Sequence, residues 1–327
     1  MTKRKQITSP LKMNLQTFAQ TFNPDNVLVL EAKDGSVPAT QGSLIIQDVI
    51  QNSKIMQLGV YEDMVGADGK PTKKKEFTYL AEGPGAYWVG ETEKIQTSKA
   101  TWLKASMEAK KLGVIIPVSR EFLTYKLPDF FEAIRPKLAE AFYKKFDEAG
   151  ILNVANPFVQ SIDESAVAEG NVVTGPITYD NLLALEDTLI ENDIEANGFI
   201  SKNQNATALR GAIKTENGVA LSVYDRANNT IDGITTVNLK SAEMPKGTIY
   251  AGDFNHLHYG IPFDISYKIS EEAQLSTIEN ADGTPVNLFE QEMVALRATM
   301  DVALMITKDE AFAKLEAAEE TEPPAGA

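Results

Sequence analysis

The chain has 327 residues, enough for about two domains and a substantial hydrophobic core. With 43% hydrophobic and 24% charged residues, the composition is that of a folded globular protein and excludes a wholly disordered or fibrous chain. The absence of cysteine excludes disulfides, thiolate nucleophiles and sulfur-based metal sites. A formal net charge of -15 disfavours broad binding to nucleic-acid phosphates. No stretch approaches about 18 uncharged apolar residues, so we expect no membrane span and no export signal.

Charge is distributed unevenly along the chain. Residues 1–18 contain no acidic residue and four basic ones, Lys3, Arg4, Lys5 and Lys12. Residues 316–327 are rich in glutamate and proline and contain too few apolar side chains to order themselves. We therefore expect a basic N-terminal segment and a disordered acidic tail, on either side of a folded and acidic body.

An arm and a long hairpin are predicted in the first part of the chain. Apolar residues in 44–58 recur at a spacing near 3.6, which predicts one helical face. Over residues 60–119 the period changes to two, which predicts a hairpin of strands. The hairpin is polar for its length and carries three consecutive lysines, Lys73, Lys74 and Lys75. Because such a hairpin buries little of itself, we expect it to lie against another surface, with these lysines either solvated or paired with a neighbouring acidic subunit.

A long helix is predicted from Pro128 to Ala149. Its apolar residues recur at four-residue steps, Phe130, Ile134, Leu138, Phe142 and Phe146. Pro136 falls within this pattern, and proline has no backbone N–H to donate. We therefore expect a kink or a restart there, with Pro136 near a first helical turn, and an end at Gly150.

The second half of the chain alternates helical and strand-like patterns, which predicts a compact α/β unit. Helices are predicted over residues 179–190 and 203–213, and strands over 198–200, 231–239 and 248–250. In residues 294–306 apolar side chains alternate with polar ones, which is typical of a long strand with one buried face. A short final helix is predicted from Asp309 to Leu315.

Residues that carry chemistry are scarce. In a strand, the two histidines of the chain, His256 and His258, would point to the same side, as a metal-binding pair does, with Asp253 or Asp264 as a third ligand. The simpler interpretation is two surface or packing residues, and we favour it. The sequence contains neither a Gly-x-Ser-x-Gly elbow nor a complete phosphate-binding glycine motif. We therefore predict no catalytic residue, no metal and no cofactor.

Several segments together carry a family resemblance. They include Ala86-Tyr87-Trp88-Val89-Gly90-Glu91, Ser98-Lys99-Ala100-Thr101-Trp102, Ile116-Pro117-Val118-Ser119-Arg120-Glu121-Phe122-Leu123, Gly252-Asp253-Phe254 and Glu310-Ala311-Phe312-Ala313-Lys314-Leu315. In their order and spacing, the chain resembles the major capsid proteins of tailed bacteriophages, the Hong Kong 97-type capsid family, over most of residues 20–315. No single segment is specific by itself.

The resemblance implies an α+β fold of the Hong Kong 97 type. It assigns a cleavable basic segment to residues 1–18, an N-terminal arm to 19–60, an extended loop to 61–115, a peripheral domain with a long spine helix to 116–154 and 256–315, an axial domain to 155–255, and the acidic tail to 316–327. In such shells the extended loop lies over an adjacent subunit. The family thus gives the polar hairpin a covering surface, and we expect inter-subunit contacts at Lys73, Lys74, Lys75, Trp88 and Trp102.

A second motif lies at the start of the chain, Leu11-Lys12-Met13-Asn14-Leu15-Gln16-Thr17-Phe18-Ala19. Similar segments begin a ribosomal protein and several capsid or scaffold proteins of low-GC Gram-positive bacteria and their phages, in which a dedicated cysteine protease cuts after the phenylalanine. Met13 stands where leucine is usual, a substitution that conserves volume. By this resemblance, cleavage between Phe18 and Ala19 removes the basic segment.

The family implies a structural function. We expect a major capsid protein of a phage or prophage of a Gram-positive host, and not an enzyme. The chain would assemble with itself as hexamers and pentamers into an icosahedral virion shell, built in the host cytoplasm away from any membrane. The implied partners are a scaffolding protein, a portal protein, a maturation protease and packaged double-stranded DNA. Two alternatives stay open, an encapsulin-type nanocompartment and a metal-dependent α/β enzyme that uses His256 and His258.

Overall fold

The structure, a computed structural model, describes residues 39–66, 68–82, 94, 101–216, 219–263, 265–280 and 283–318. Its helices are α1 (Ala39–Asn52), α2 (Lys54–Leu58), α3 (Arg120–Leu152), α4 (Ile162–Ala168), α5 (Tyr179–Ile190) and α6 (Ala206–Gly211). Its strands are β1 (Val60–Tyr61), β2 (Lys74–Glu82), β3 (Thr101–Ser119), β4 (Val172–Thr174), β5 (Gly198–Lys202), β6 (Ile213–Glu216), β7 (Val219–Ser222), β8 (Tyr224–Asp225), β9 (Thr230–Ile231), β10 (Ile234–Leu239), β11 (Ile249–Gly252), β12 (Leu257–Gly260), β13 (Ser266–Ser270), β14 (Gln274–Glu279), β15 (Pro285–Asn287), β16 (Met293–Ile306) and β17 (Phe312–Glu316).

These described residues divide into two compact units. The larger draws on residues 43–114, 133–266 and 298–318, and the smaller on 39–42, 115–132 and 267–297. Among the described strands, the larger unit contains a seven-stranded sheet in the order β4-β17-β11-β5-β10-β9-β8. One face of α5 is apolar, and its buried residues Leu182, Leu185 and Leu189 share a core cluster with Phe199 and Ile249 of that sheet. This packing confirms the predicted α/β unit.

A second sheet has the order β1-β12-β16-β3-β2 among the described strands, and β13 also pairs with β16. The alternation predicted for β16 is confirmed. Its regularly spaced apolar side chains are buried, namely Val294, Leu296, Ala298, Met300, Val302, Leu304 and Ile306. Ala295 and Ala303 on the opposite face are buried as well, so parts of this strand are covered on both faces.

The helix predicted at residues 128–149 is longer in the structure. It runs without a break from Arg120 to Leu152, so of the kink or restart expected at Pro136 the restart is wrong, and the helix ends two residues beyond the predicted Gly150. Leu138, Phe142 and Phe146 are buried, as their spacing predicts. The apolar contacts of this face compensate for the one N–H that proline cannot donate.

The predicted final helix is also wrong. Residues 312–316 form β17, which pairs with β11 in antiparallel and with β4 in parallel orientation. Phe312, Ala313 and Leu315 are buried in this position. The alanine, lysine and glutamate residues of the segment favour a helix locally, but pairing with two strands and burial outweigh that preference.

The smaller unit is built around the β14–β15 hairpin. Leu275, Val286, Leu288 and Ala295 form its buried cluster. At the start of α3, the backbone N–H of Arg120 donates to the carbonyl oxygen of Glu292 at 2.9 Å, and the Arg120 guanidinium pairs with Glu271. The first contact joins α3 to the turn that connects β15 to β16, and the second joins it to the loop between β13 and β14.

Helices α1 and α2 replace the single helix predicted over residues 44–58. The break lies at Ser53, whose hydroxyl caps α2 by accepting from the Met56 N–H at 3.3 Å. The same hydroxyl donates to Asp147 of α3 at 2.6 Å. Asp147 also accepts the backbone N–H groups of Lys54, at 2.9 Å, and Ile55, at 3.3 Å. One buried carboxylate of α3 thus binds the first turn of α2.

The two helices approach closely beside this carboxylate. A Cβ atom added at Gly150 of α3 would lie 2.5 Å from Ile55 Cδ1 and 2.9 Å from Leu304 Cδ2. The absence of a side chain at Gly150 therefore lets α2 and β16 reach α3. Burial raises the pKa of Asp147 to about 6, although its three hydrogen bonds act in the opposite direction.

The raised pKa predicts a pH dependence of stability. Because the folded pKa lies above the unfolded value, the folded chain binds this proton more tightly than the unfolded chain does. The resulting stabilisation is fully present below about pH 4 and is lost as pH rises through about 6, with a total of roughly 3 kcal/mol. We expect the difference in unfolding free energy between wild type and Asp147→Asn to fall by that order between pH 4 and pH 7.5, measured by chemical denaturation.

An exposed aspartate provides the control. Asp187→Asn on α5 should shift stability by less than about 0.5 kcal/mol at either pH. Should Asp147→Asn not fold, Ser53→Ala replaces it, because loss of a hydrogen bond to the carboxylate moves the transition to higher pH. A difference between wild type and variant that is constant with pH, or that grows as pH rises, contradicts the assignment.

Candidate functional site

The β2–β3 hairpin is the first candidate site, since its sequence predicts an external contact. β2 pairs with β3 in antiparallel register, from Lys74 opposite Glu108 to Leu80 opposite Trp102. The two strands differ in length, 9 residues against 19, because β3 continues into the sheet beside β16. The predicted hairpin is therefore confirmed for residues 74–82 and 101–119.

A small apolar cluster holds the base of the hairpin. Met107 and Ala109 of β3 are buried with Met64 and Ala303, and Phe77 of β2 packs against the edge of this group. The side chains that alternate with them on β3, such as those of Glu108 and Lys104, are exposed. One face of the described hairpin is thus anchored to its own chain, whereas the other faces solvent.

The three predicted contact lysines differ in their surroundings. Lys73 is exposed, and Lys74 is 3.9 Å from Glu76 in a pair whose side chains are 58% and 65% exposed. Lys75 instead donates to the carbonyl oxygen of Asp63, and its Nζ lies 5.1 Å from the centroid of the Phe77 ring. Lys75 is therefore bound within its own chain, and Lys73 and Lys74 are the two whose charges face outward.

The other predicted contact and processing residues are described in part or not at all. The backbone of Trp102 pairs with Leu80 in the hairpin, but its side chain lies outside the described part of the chain. Trp88, Phe18 and Ala19 lie outside the described residues altogether. These four assignments stay predictions.

The two histidines do not both lie in a strand. His256 ends a short 3-10 turn, and its Nδ1 is 3.0 Å from the hydroxyl oxygen of Thr307. His258 lies in β12 with its Nδ1 3.2 Å from a carboxylate oxygen of Glu62. Burial lowers the pKa of His256, which favours its neutral form. His256 precedes the strand and the two rings have separate partners, which agrees with the favoured interpretation as packing residues.

The described residues contain no group of three or more histidine, aspartate or glutamate side chains that could hold a metal ion. Asp253 lies 3.7 Å from the His256 ring, whereas Asp264 lies outside the described residues. The described helices also include none that is long and apolar enough to cross a membrane.

Two exposed apolar side chains were not singled out by sequence reasoning. Val159 is 83% exposed in the loop after α3, and Phe289 is 75% exposed in the turn after β15. Large apolar groups at such exposure are typical of interaction surfaces when they occur beside other apolar groups. The signal in the sequence is weak, because a phenylalanine beside Glu290 also fits a buried strand end. Exposure in the folded chain is what distinguishes them.

Comparisons with known proteins agree with an assembly function. The model of the phage capsid family matches residues 35–317. The chain is 54% identical over 315 residues to the major capsid protein of Staphylococcus phage 80alpha, covering 94% of this chain and 95% of that protein. A second similar protein, 23% identical and covering 70% of this chain and 76% of its own length, is the probable major capsid protein gp17 of Mycobacterium phage D29.

Solved structures agree on the fold. One from Microbacterium phage Oxtober96 matches with a TM-score of 0.67 at 21% identity, covering 81% of this chain and 91% of that chain. The capsid of a native GTA particle matches with a TM-score of 0.57 at 15% identity, covering 81% and 90%. The mixed helix-and-strand fold is thus the Hong Kong 97-type fold that the resemblance implied. With a family model matched over most of its length and a relative above half identity, the chain belongs to the phage capsid family.

Proposed function

We propose that this major capsid protein of a tailed phage builds an icosahedral shell as hexamers and pentamers of itself, around double-stranded DNA. The observation that carries the proposal is the 54% identity to a phage major capsid protein over 94% of the chain. Identity at that level over nearly the whole of both proteins supports the same role for this chain. Neither the encapsulin alternative nor the enzyme alternative with His256 and His258 has comparable support.

The hairpin supports an assembly in which subunits cover one another. Its apolar base is anchored by Met107 and Phe77, but Glu76, Thr78 and Lys104 are exposed on the described strands. A two-stranded ribbon of this length is marginal when it is solvated on one whole face. Contact with an adjacent subunit supplies the missing burial. In this proposal residues 61–115 act as the extended loop, between an arm at 19–60 and the peripheral and axial domains.

Electrostatics agree with a container for nucleic acid. A chain with a net charge of -15 repels phosphates at long range, so DNA can enter and leave a shell without tight adhesion to its wall. Contacts with packaged DNA are then independent of base sequence. We further propose a scaffolding protein, a portal protein and a maturation protease as partners, with assembly in the host cytoplasm before the shell becomes part of the virion.

The first prediction concerns assembly. Purified full-length chain, expressed alone or with a candidate scaffolding protein, should form closed shells or tubes that are visible by negative-stain electron microscopy. The reason is that quasi-equivalent contacts of one surface generate closed symmetric assemblies. Uniform small particles at every concentration, under both conditions, contradict the proposed function.

A second prediction concerns the hairpin lysines. Lys73→Glu combined with Lys74→Glu should slow shell formation about tenfold at low salt, because reversing exposed interface charges chiefly changes the rate of association. Light scattering against time measures the rate. Lys240→Glu combined with Lys246→Glu changes the net charge equally at two exposed lysines elsewhere, and should assemble near the wild-type rate. Equal slowing by both pairs would assign the effect to net charge and remove the hairpin from the contact.

A third prediction concerns processing. Co-expression with the cognate maturation protease should remove residues 1–18, so that the mass of the intact chain falls by that of Met1 to Phe18. The matched variant Phe18→Ala should stay uncut, whereas Phe22→Ala, four residues beyond, should be cut normally. Cleavage at another position, or of Phe18→Ala at the normal rate, contradicts the assigned site.

A further inference from the structure

An apolar groove lies on the larger unit beside the end of α3. We call it the Phe158 groove; its volume is about 250 Å³, and its apolar lining comes from Leu112, Phe146, Ala149, Val154, Phe158 and Val302. Cavities of roughly 150 Å³ already admit a benzene-sized ring. The groove is therefore large enough to receive one aromatic side chain.

Hydrogen bonds hold the loop that forms one wall. Gln160 donates to Asp309 at 2.9 Å, and the Phe158 N–H donates to the side chain of Asn156 at 2.8 Å. The Phe158 ring stands edge-on to the buried ring of Phe146, with centroids 5.9 Å apart. The groove thus exists in the isolated chain, so an occupant would not have to open it.

The rim of the groove is basic, in a chain that is strongly acidic. Lys110, Lys111 and Lys145 stand at its edge. Lys110 pairs with Glu108 at 2.9 Å and Lys145 with Glu148 at 2.9 Å, whereas Lys111 has no ion-pair partner among the described residues. An apolar floor with lysines at its rim fits an occupant that combines an apolar side chain with carboxylates.

The smaller unit presents such a combination in the turn from β15 to β16. Residues 288–293 form this turn, which we call the Phe289 turn. The Phe289 ring is 75% exposed, so its own chain does not cover it. Glu290 and Glu292 are exposed on the same turn, and neither has an ion-pair partner in the described part of the chain.

Hydrogen bonds and a buried side chain fix the conformation of the Phe289 turn. Leu288 is fully buried, and its carbonyl oxygen accepts the Met293 N–H at 2.9 Å. The Phe289 N–H donates to the side chain of Asn287 at 3.2 Å, and Glu292 has a φ of 49°, which closes the loop. A rigid turn loses little conformational entropy when it binds.

We propose that the Phe289 turn of one copy of this chain inserts its ring into the Phe158 groove of a second copy, with Glu290 and Glu292 facing the rim lysines. The inference rests on the proposed function, because it names one contact by which the shell subunits recognise each other. The turn and the groove are different surfaces, so the contact is heterologous. Each copy offers one of each, and repetition of such a contact closes a ring when the rotation allows it.

Cross-linking tests the contact directly. The chain has no cysteine, so Lys111→Cys and Glu290→Cys can be combined without background. Assembled particles of this double variant, treated with a short bismaleimide, should give a ladder of covalent multimers that ends at pentamer and hexamer on a denaturing gel. Each single variant should stay monomeric. Glu290→Cys combined with Lys246→Cys, at an exposed lysine away from the groove, is the matched control and should give no ladder.

The outcomes separate this inference from the proposed function. Shells that form normally but give no ladder overturn the contact and leave the capsid function standing. If no shells form, the proposed capsid function is contradicted. The soluble double variant is then treated with the same bismaleimide, and a gel without covalent dimers overturns the contact as well. Dimers of Glu290→Cys alone would indicate a symmetric contact of two turns and also overturn it. A further double variant, Lys111→Cys with Glu322→Cys, tests the acidic tail as the occupant of the groove. Intramolecular linkage of its two cysteines, together with no ladder from the first variant, would assign the groove to that tail and overturn the contact between copies.

Mutational reversal gives a second readout. Phe289→Ala should raise the concentration needed for assembly roughly tenfold or more, as expected for loss of an aromatic anchor, whereas Ile190→Ala, also exposed, should have little effect. Lys111→Glu and Glu290→Lys should each impair assembly, and the two together should recover most of it. Failure of the double variant to recover assembly, or equal effects of Phe289→Ala and Ile190→Ala, would contradict the proposed contact.

Discussion

A buried carboxylate connects the first described helices to the long helix on which much of the larger unit packs. Asp147 accepts three hydrogen bonds from residues 53–55, so it satisfies the N–H groups that would otherwise be left unpaired at the start of α2. The arrangement requires Gly150 one turn later, because any side chain there would collide with Ile55 and Leu304. Strand β1, which follows α2 in the chain, pairs in parallel with β12.

The anchored interior contrasts with surfaces that the chain leaves uncovered. Three surfaces stay uncovered in the single chain: one face of the β2–β3 hairpin, the Phe158 groove and the Phe289 turn. Exposure of their side chains does not stabilise a monomer. In the proposed shell, identical copies of the chain would cover these surfaces.

Local sequence patterns predicted those elements whose burial follows a simple period. The boundaries of α5 were predicted correctly, and so was the alternating burial of β16, because each element lies with one face on a continuous core. The hairpin followed from its period-two pattern, and the covering surface expected from its polarity stays a proposal. The interrupted domain order came from the family resemblance and stays a prediction, whereas the comparisons confirmed the family itself.

The sequence by itself determined the fold class, the family and several of the longer elements, since these depend on spacing along the chain. Tertiary structure alone decided the rest. Residues 312–316 became a strand because β11 and β4 lie on either side of them, and α3 continued through Pro136 because its buried face extends beyond the proline. Asp147, Val159 and Phe289 look ordinary in the sequence. Their roles follow from what surrounds or fails to surround each side chain, which only distant parts of the chain decide.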